Sequence, residues 1–256
     1  MHKFNFFPVA LASIITISFC NHLQLKYANA QSLAEPNAEV NPVATTDNNS
    51  ELLALSHANY LSQLEKEVIV EMNKVRRNPN SYIPLMEEYK TRFQGNRVRV
   101  GKRQVMITKE GIAVVNEAIE FLKQQAPVSE LSPSQGMSLG ARDHAKDQGE
   151  NGLFGHYGSD KSDPFIRIGR YGKWRAIAGE NIAYGYTTAD SIVMQLIIDD
   201  GVPHRGHRKT MFNPDFKIAG VAIGDHSVYR TVCVITYAGG YEEGVKSQEQ
   251  SLQTEF

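Results

Sequence analysis

The chain has 256 residues, a formal charge of −1, 41% hydrophobic and 21% charged residues. Those values exclude a collagen, a coiled-coil rod and a wholly disordered chain, and the near-zero charge gives no ground for expecting a nucleic-acid protein. Of the two cysteines, Cys20 lies in the N-terminal apolar stretch and only Cys233 in the body. No internal disulfide is expected after export, so a packed core must stabilise the domain.

Met1-His2-Lys3, the apolar run Phe6 to Phe19 and the closing Ala28-Asn29-Ala30 have the order of a secretory signal peptide. The run is too short to span a bilayer. The protein is therefore expected to be secreted or periplasmic, cleaved after Ala30. A lipoprotein with Cys20 as acceptor is the weaker alternative, because bulky Phe19 precedes the cysteine. Residues 31–55 are small and polar with two prolines and no aromatic, the composition of a flexible linker. Residues 56–241 are of a size for one domain, and 242–256 read as a frayed polar tail.

Leu61, Leu64, Val68, Met72 and Val75 form one apolar stripe of a helix. Ser62 and Glu65 read as a capping box at its start, and Asn78-Pro79 as its stop. Residues 90–109 hold seven lysines and arginines and no acid. Their alternating valines around Gly101 predict a short hairpin, read as a solvated excursion, with contact to an anionic surface as the alternative. A second helix spans Glu110 to Gln125, and a third runs through Met137, Ala141, Ala145 and Gln148, with His144 on its stripe as a hydrogen-bonded core or groove residue. Thr187 and Asp190 suggest a second capping box for a helix through Ile192, Val193, Leu196 and Ile197, ending at Asp199-Asp200-Gly201. His204 and His207 follow on a turn or short helix. Strands are predicted at 217–224 and 228–238, joined by a turn that leaves His226 solvated at its tip, with Cys233 a buried hydrophobe.

His156, Gly179-Glu180-Asn181-Ile182, an acid at 199 and His207-Arg208-Lys209 resemble, in that order, the CAP superfamily. This is the SCP/TAPS group of cysteine-rich secretory proteins, antigen 5 and plant pathogenesis-related group 1 proteins, with bacterial SCP-like relatives. The resemblance covers about 61–241, and GENIAYG and GHRKTMFNPDFKIAGVAIG are its most specific parts. It implies an α+β fold, an α-β-α sandwich around a small, mainly antiparallel sheet. It also implies a cleft with two histidines and two acids, which the match carries to His156, Glu180, Asp199 and His207. Asp199 is preferred to Asp200 because it falls three residues after Leu196, where the family usually has tryptophan. The eukaryotic disulfides are missing and the second histidine is followed by Arg-Lys, as in the bacterial branch. The basic excursion at 90–109 is not part of the family pattern.

Two imidazoles are good ligands for zinc or another divalent metal, with Glu180 or Asp199 taking the outer imidazole proton. Such a site could bind a metal, a lipid or a protein partner without catalysis. The resemblance implies sterol or fatty-acid binding in some relatives and adhesive or immune-like roles in others. The alternative is a metal-dependent extracellular hydrolase, peptidase-like, with Glu180 and Asp199 as catalytic acids. Ser159 is the nearest serine and a poor candidate nucleophile. A buried hydrogen-bonded network that only fixes the cleft is the third reading.

Overall fold

The computed structural model describes residues 26–27, 55–100 and 105–245. The expected signal peptide, apart from 26–27, and nearly all of the expected linker lie outside these residues.

Lys26–Tyr27 forms the two-residue strand β1. The first helix, α1 (Gln63–Arg77), begins where Ser62 and Glu65 exchange backbone and side-chain hydrogen bonds and stops at Asn78. Pro79–Tyr82 makes a 3-10 turn, and α2 (Ile83–Lys90) follows, a helix that the sequence reading did not anticipate. Next come the short strands β2 (Phe93–Gln94), β3 (Arg97–Arg99) and β4 (Val105–Ile107), an antiparallel three-stranded sheet where a two-stranded hairpin was expected. Then follow α3 (Ile112–Gln124), β5 (Ser132–Pro133), α4 (Gln135–Asn151), α5 (Pro164–Gly169), β6 (Gly172–Tyr184), α6 (Ala189–Ile198), α7 (Gly206–Met211), β7 (Ile218–His226) and β8 (Arg230–Glu243).

The main sheet has the order β1-β6-β8-β7-β5, and only the β5–β7 pairing is parallel. Strand periodicity builds the layers. Cys233, Ile235 and Tyr237 face a large core with α1, α3 and α6, which also takes Val221 and Ala219. Val232, Val234 and Ala238 face the other side, against α4 and α5. The result is the α-β-α arrangement, mixed in class and mainly antiparallel.

The α4 layer sits very close to its neighbours. A Cβ on Gly220 would lie 2.3 Å from the Met137 backbone, and one on Gly140 would lie 2.9 Å from the Ile168 backbone. Only glycine permits both approaches, and they seat α4 on β7 and α5 on α4.

Several expectations change. The long strand β6 was not predicted, since GKWRAIAGENIAYGY lacks clean alternation: from Ile177 to Ala183 it is buried on both faces. A bulge between Arg175 and Ala178 breaks its register, with Ala176 at φ 62°. The helix α6 is preceded by Thr188, and no side chain caps it, so Thr187 and Asp190 form no capping box. The β7–β8 loop is Ser227-Val228-Tyr229, and His226 pairs with Arg230 as part of the sheet. His226 is buried, not solvated. Finally, β8 reaches Glu243, two residues past the expected end of the domain; the Glu243 carboxylate accepts from the Ser134 hydroxyl and the Gly136 amide.

Candidate functional site

Glu180 and Asn181 sit side by side on β6 and serve opposite layers. Glu180 is wholly buried on the α5 side, where its Oε1 accepts from His156 Nδ1 at 2.9 Å and its Oε2 from Arg167 Nη2 at 2.8 Å. Asn181 points to the other side, donating to the His207 carbonyl at 3.0 Å and to the Tyr237 hydroxyl at 3.3 Å. Consecutive residues of one strand thus hold the backbone or side chain of both histidine segments.

His156 lies in the loop after α4, which ends with Gly152 in the left-handed conformation. The loop is bound down from several directions. The Gly155 carbonyl accepts from His144 Nε2 at 2.8 Å and from Gln148, while its amide donates to the Tyr184 hydroxyl. His226 Nε2 donates to the Leu153 carbonyl at 2.7 Å, and its Nδ1 accepts from the Val228 and Tyr229 amides. Arg167, from α5, donates to the His156 and Ser162 carbonyls at 3.1 and 2.7 Å. Burial raises the Glu180 carboxyl, but the hydrogen bond from His156 and the field of Arg167 outweigh it, and the group lies below the ordinary carboxylate value.

His207 is held in an analogous way. Asp199, the C-cap of α6, takes the left-handed conformation at φ 59°, which turns its carboxylate toward α7. Its Oδ1 accepts from His207 Nδ1 at 2.6 Å, and its Oδ2 accepts the His207 amide at 2.9 Å and the Arg208 amide at 3.3 Å. The carboxylate lies at a helix end that disfavours negative charge, but the exposed amides at the start of α7 offset that. Arg208 donates to the Ile197 and Ile198 carbonyls and joins the two helices. Asp200 faces elsewhere, accepting the Lys109 and Glu110 amides. The partner of His207 is therefore Asp199.

Ser159 is committed to Asp147, to which its hydroxyl and amide both donate. It helps line a cavity of about 280 Å³ beside the site, together with Asp143, His144, Asp160, Arg167 and Arg170. Among the described residues, no three or more His, Cys, Asp or Glu gather so as to hold one metal ion. The sequence reading missed Arg167, Asn181 and His226 as parts of this arrangement. Arg167 sits in PFIRIG, a run whose apolar neighbours give no sign that its guanidinium turns inward; for His226, the only hint was its place beside a strand end.

The sequence profile of the CAP family (cysteine-rich secretory protein family) matches residues 36–237, beginning within the expected linker. The uncharacterized protein YkwD of Bacillus subtilis (strain 168) is 29% identical over 99 residues, 39% of this chain, and the match spans 37% of that relative's length. An outer surface protein from Borrelia burgdorferi is 16% identical, with 57% of this chain and 98% of that one covered and a TM-score of 0.38. An extracellular protein containing a SCP domain, from Bacillus anthracis str. Ames, is 20% identical, covering 53% of this chain and 46% of its own, also at a TM-score of 0.38. No helix of the described residues is long and apolar enough to cross a membrane. With the profile matching most of this chain, and the motif histidines and acids standing in pairs, the chain belongs to the CAP family.

Proposed function

We propose that the protein is an exported, non-catalytic CAP binding module in which His156 and His207 together take one divalent cation, zinc by preference. One observation carries this reading: each imidazole has its Nδ1 bound to a buried carboxylate, Glu180 or Asp199, the arrangement in which a metal-binding imidazole coordinates through Nε2. Carboxylates in that position fix the tautomer and raise the basicity of metal-binding imidazoles. The rings are 17% and 21% exposed, within reach of an ion. Although the two segments approach β6 from opposite faces, at Glu180 and Asn181 that strand pairs only with β8 among the described residues. The proposed site requires the two imidazoles to meet past that edge of β6.

An ion bound there takes two protein ligands and completes its shell with water, since no larger donor set exists among the described residues. The adjoining cavity is lined by both acidic and basic side chains, Asp143, Asp147, Glu150 and Asp160 with Lys146, Arg167 and Arg170, and suits a polar partner better than a sterol or fatty acid. The acids' commitments favour binding over hydrolysis. Both oxygens of Glu180 and both of Asp199 already accept hydrogen bonds, and the hydrogen bond from His156 and the field of Arg167 lower the basicity of Glu180, so neither is poised as a general base. Export rests on the Ala28-Asn29-Ala30 pattern and its apolar run. Calorimetric titration of zinc into the wild type, His156→Ala and His207→Ala tests the proposal. Each variant should lose more than roughly tenfold in affinity. Equal affinity in all three, or turnover of peptide or ester substrates that Glu180→Ala abolishes, would overturn it.

A further inference from the structure

The small sheet β2–β4 has two unlike faces. Its inner face is anchored: Val98 is fully buried, Phe93 meets Tyr89 edge-on at 5.3 Å, and the Met106 sulfur accepts from the Tyr186 hydroxyl. The antiparallel register sets Arg97 opposite Ile107 and Arg99 opposite Val105. Those four side chains therefore share the outer face, and all are exposed, Val105 at 57% and Ile107 at 51%. Nearby cations are neutralised: Lys90 meets Glu87 and Arg92 meets Glu88. Arg97 and Arg99 have no ion pair among the described residues, and the sequence from 90 to 109 contains no acid.

Val105 and Ile107 thus stand exposed directly across from arginines that no carboxylate among the described residues pairs. Salt bridging does not explain the arginines, and core packing does not explain Val105 and Ile107. One environment takes both: the interface of an anionic bilayer, where guanidinium groups meet lipid phosphates and short aliphatic side chains enter the headgroup–acyl boundary. A soluble polyanion would use the arginines alone. We propose that the outer face of β2–β4 is a peripheral docking surface for an anionic lipid bilayer, separate from the histidine site.

The test is binding of the full chain to large vesicles of phosphatidylcholine, with and without phosphatidylglycerol. Binding should require phosphatidylglycerol and weaken as salt rises. Arg97→Ala with Arg99→Ala should weaken it roughly thirtyfold, about fivefold per charge. Val105→Ser with Ile107→Ser should weaken it severalfold while leaving the salt dependence unchanged. As a local readout that is independent of the N-terminal apolar run, Val105→Trp should show tryptophan emission quenched by brominated phosphatidylglycerol beyond the background of Trp174. Equal binding to both vesicles, no effect of the arginine pair, or no quenching at position 105 would overturn the proposal. So would dextran sulfate binding that the serine pair leaves as tight as wild type while vesicle binding is also unchanged, since that identifies a polyanion site.

Discussion

Arg167 illustrates how one buried charge can organise a site. It is 1% exposed and uses one nitrogen on Glu180 and another on two loop carbonyls, so the guanidinium fixes both the acid and the segment that carries His156. Removing one member of such a pair leaves a buried charge uncompensated, typically at a cost of about 3–5 kcal/mol. Arg167→Met should therefore lose about that much unfolding free energy in chemical denaturation, whereas Arg167→Met with Glu180→Gln should recover a good part of it. A double variant no more stable than the single one would show that Arg167 acts through the loop carbonyls and not through Glu180. At this scale the sequence singled out the histidines and acids that stand in pairs, His156 with Glu180 and His207 with Asp199, because a linear motif holds them. It was silent on Arg167 and Asn181, whose roles depend on which way a side chain turns from its strand or helix.

At the scale of elements, the start of α1 does more than cap itself. Glu65 is 3% exposed; its Oε2 accepts the Ser62 amide at 2.7 Å and its Oε1 accepts the Ile223 amide of β7 at 2.9 Å, with Arg142 also in reach. The capping box was legible from Ser62 and Glu65 alone, but the tie to the sheet spans 158 positions and leaves no local trace. Ser62→Ala should cost about 1 kcal/mol, the usual value of a cap. Glu65→Ala strips a partner from both the cap and a partly buried strand amide and should cost about 3 kcal/mol. Chemical denaturation of the two variants checks this; equal losses would mean that the bond to Ile223 contributes nothing. The helices were predictable because their apolar stripes are one-sided. The strand β6 was not, because a strand buried on both faces with a bulge and glycines shows no alternation.

Across the whole molecule, the fold buries an imidazole that the proposed function does not use. His144 is wholly buried, donating from Nε2 to Gly155, with Glu180, Arg167 and His156 nearby. Burial lowers its pKa, partly offset by Glu180 and reinforced by Arg167. The unfolded chain protonates this histidine near pH 6.5, whereas the folded chain resists. Below that pH the unfolded state binds more protons, so stability present at pH 7.5 falls on acidification, by up to about 1.4 kcal/mol per pH unit. Urea melts from pH 7.5 to 5.5 with a chelator present should show this slope, and His144→Asn should flatten it whatever its stability at pH 7.5. An unchanged slope would place the acid sensitivity elsewhere.

The same layered fold brings α4 and its loop to one side of β6 and α6 and α7 to the other, and the proposed function requires that an imidazole from each side reach one ion. X-ray absorption spectroscopy of the zinc-loaded chain reads this directly. It should show two imidazole nitrogens at about 2.0–2.1 Å with oxygen filling the remaining positions. The count should fall to one in both His156→Ala and His207→Ala. Zinc with no imidazole in its shell, or with a wild-type shell that either variant leaves unchanged, would contradict the shared site.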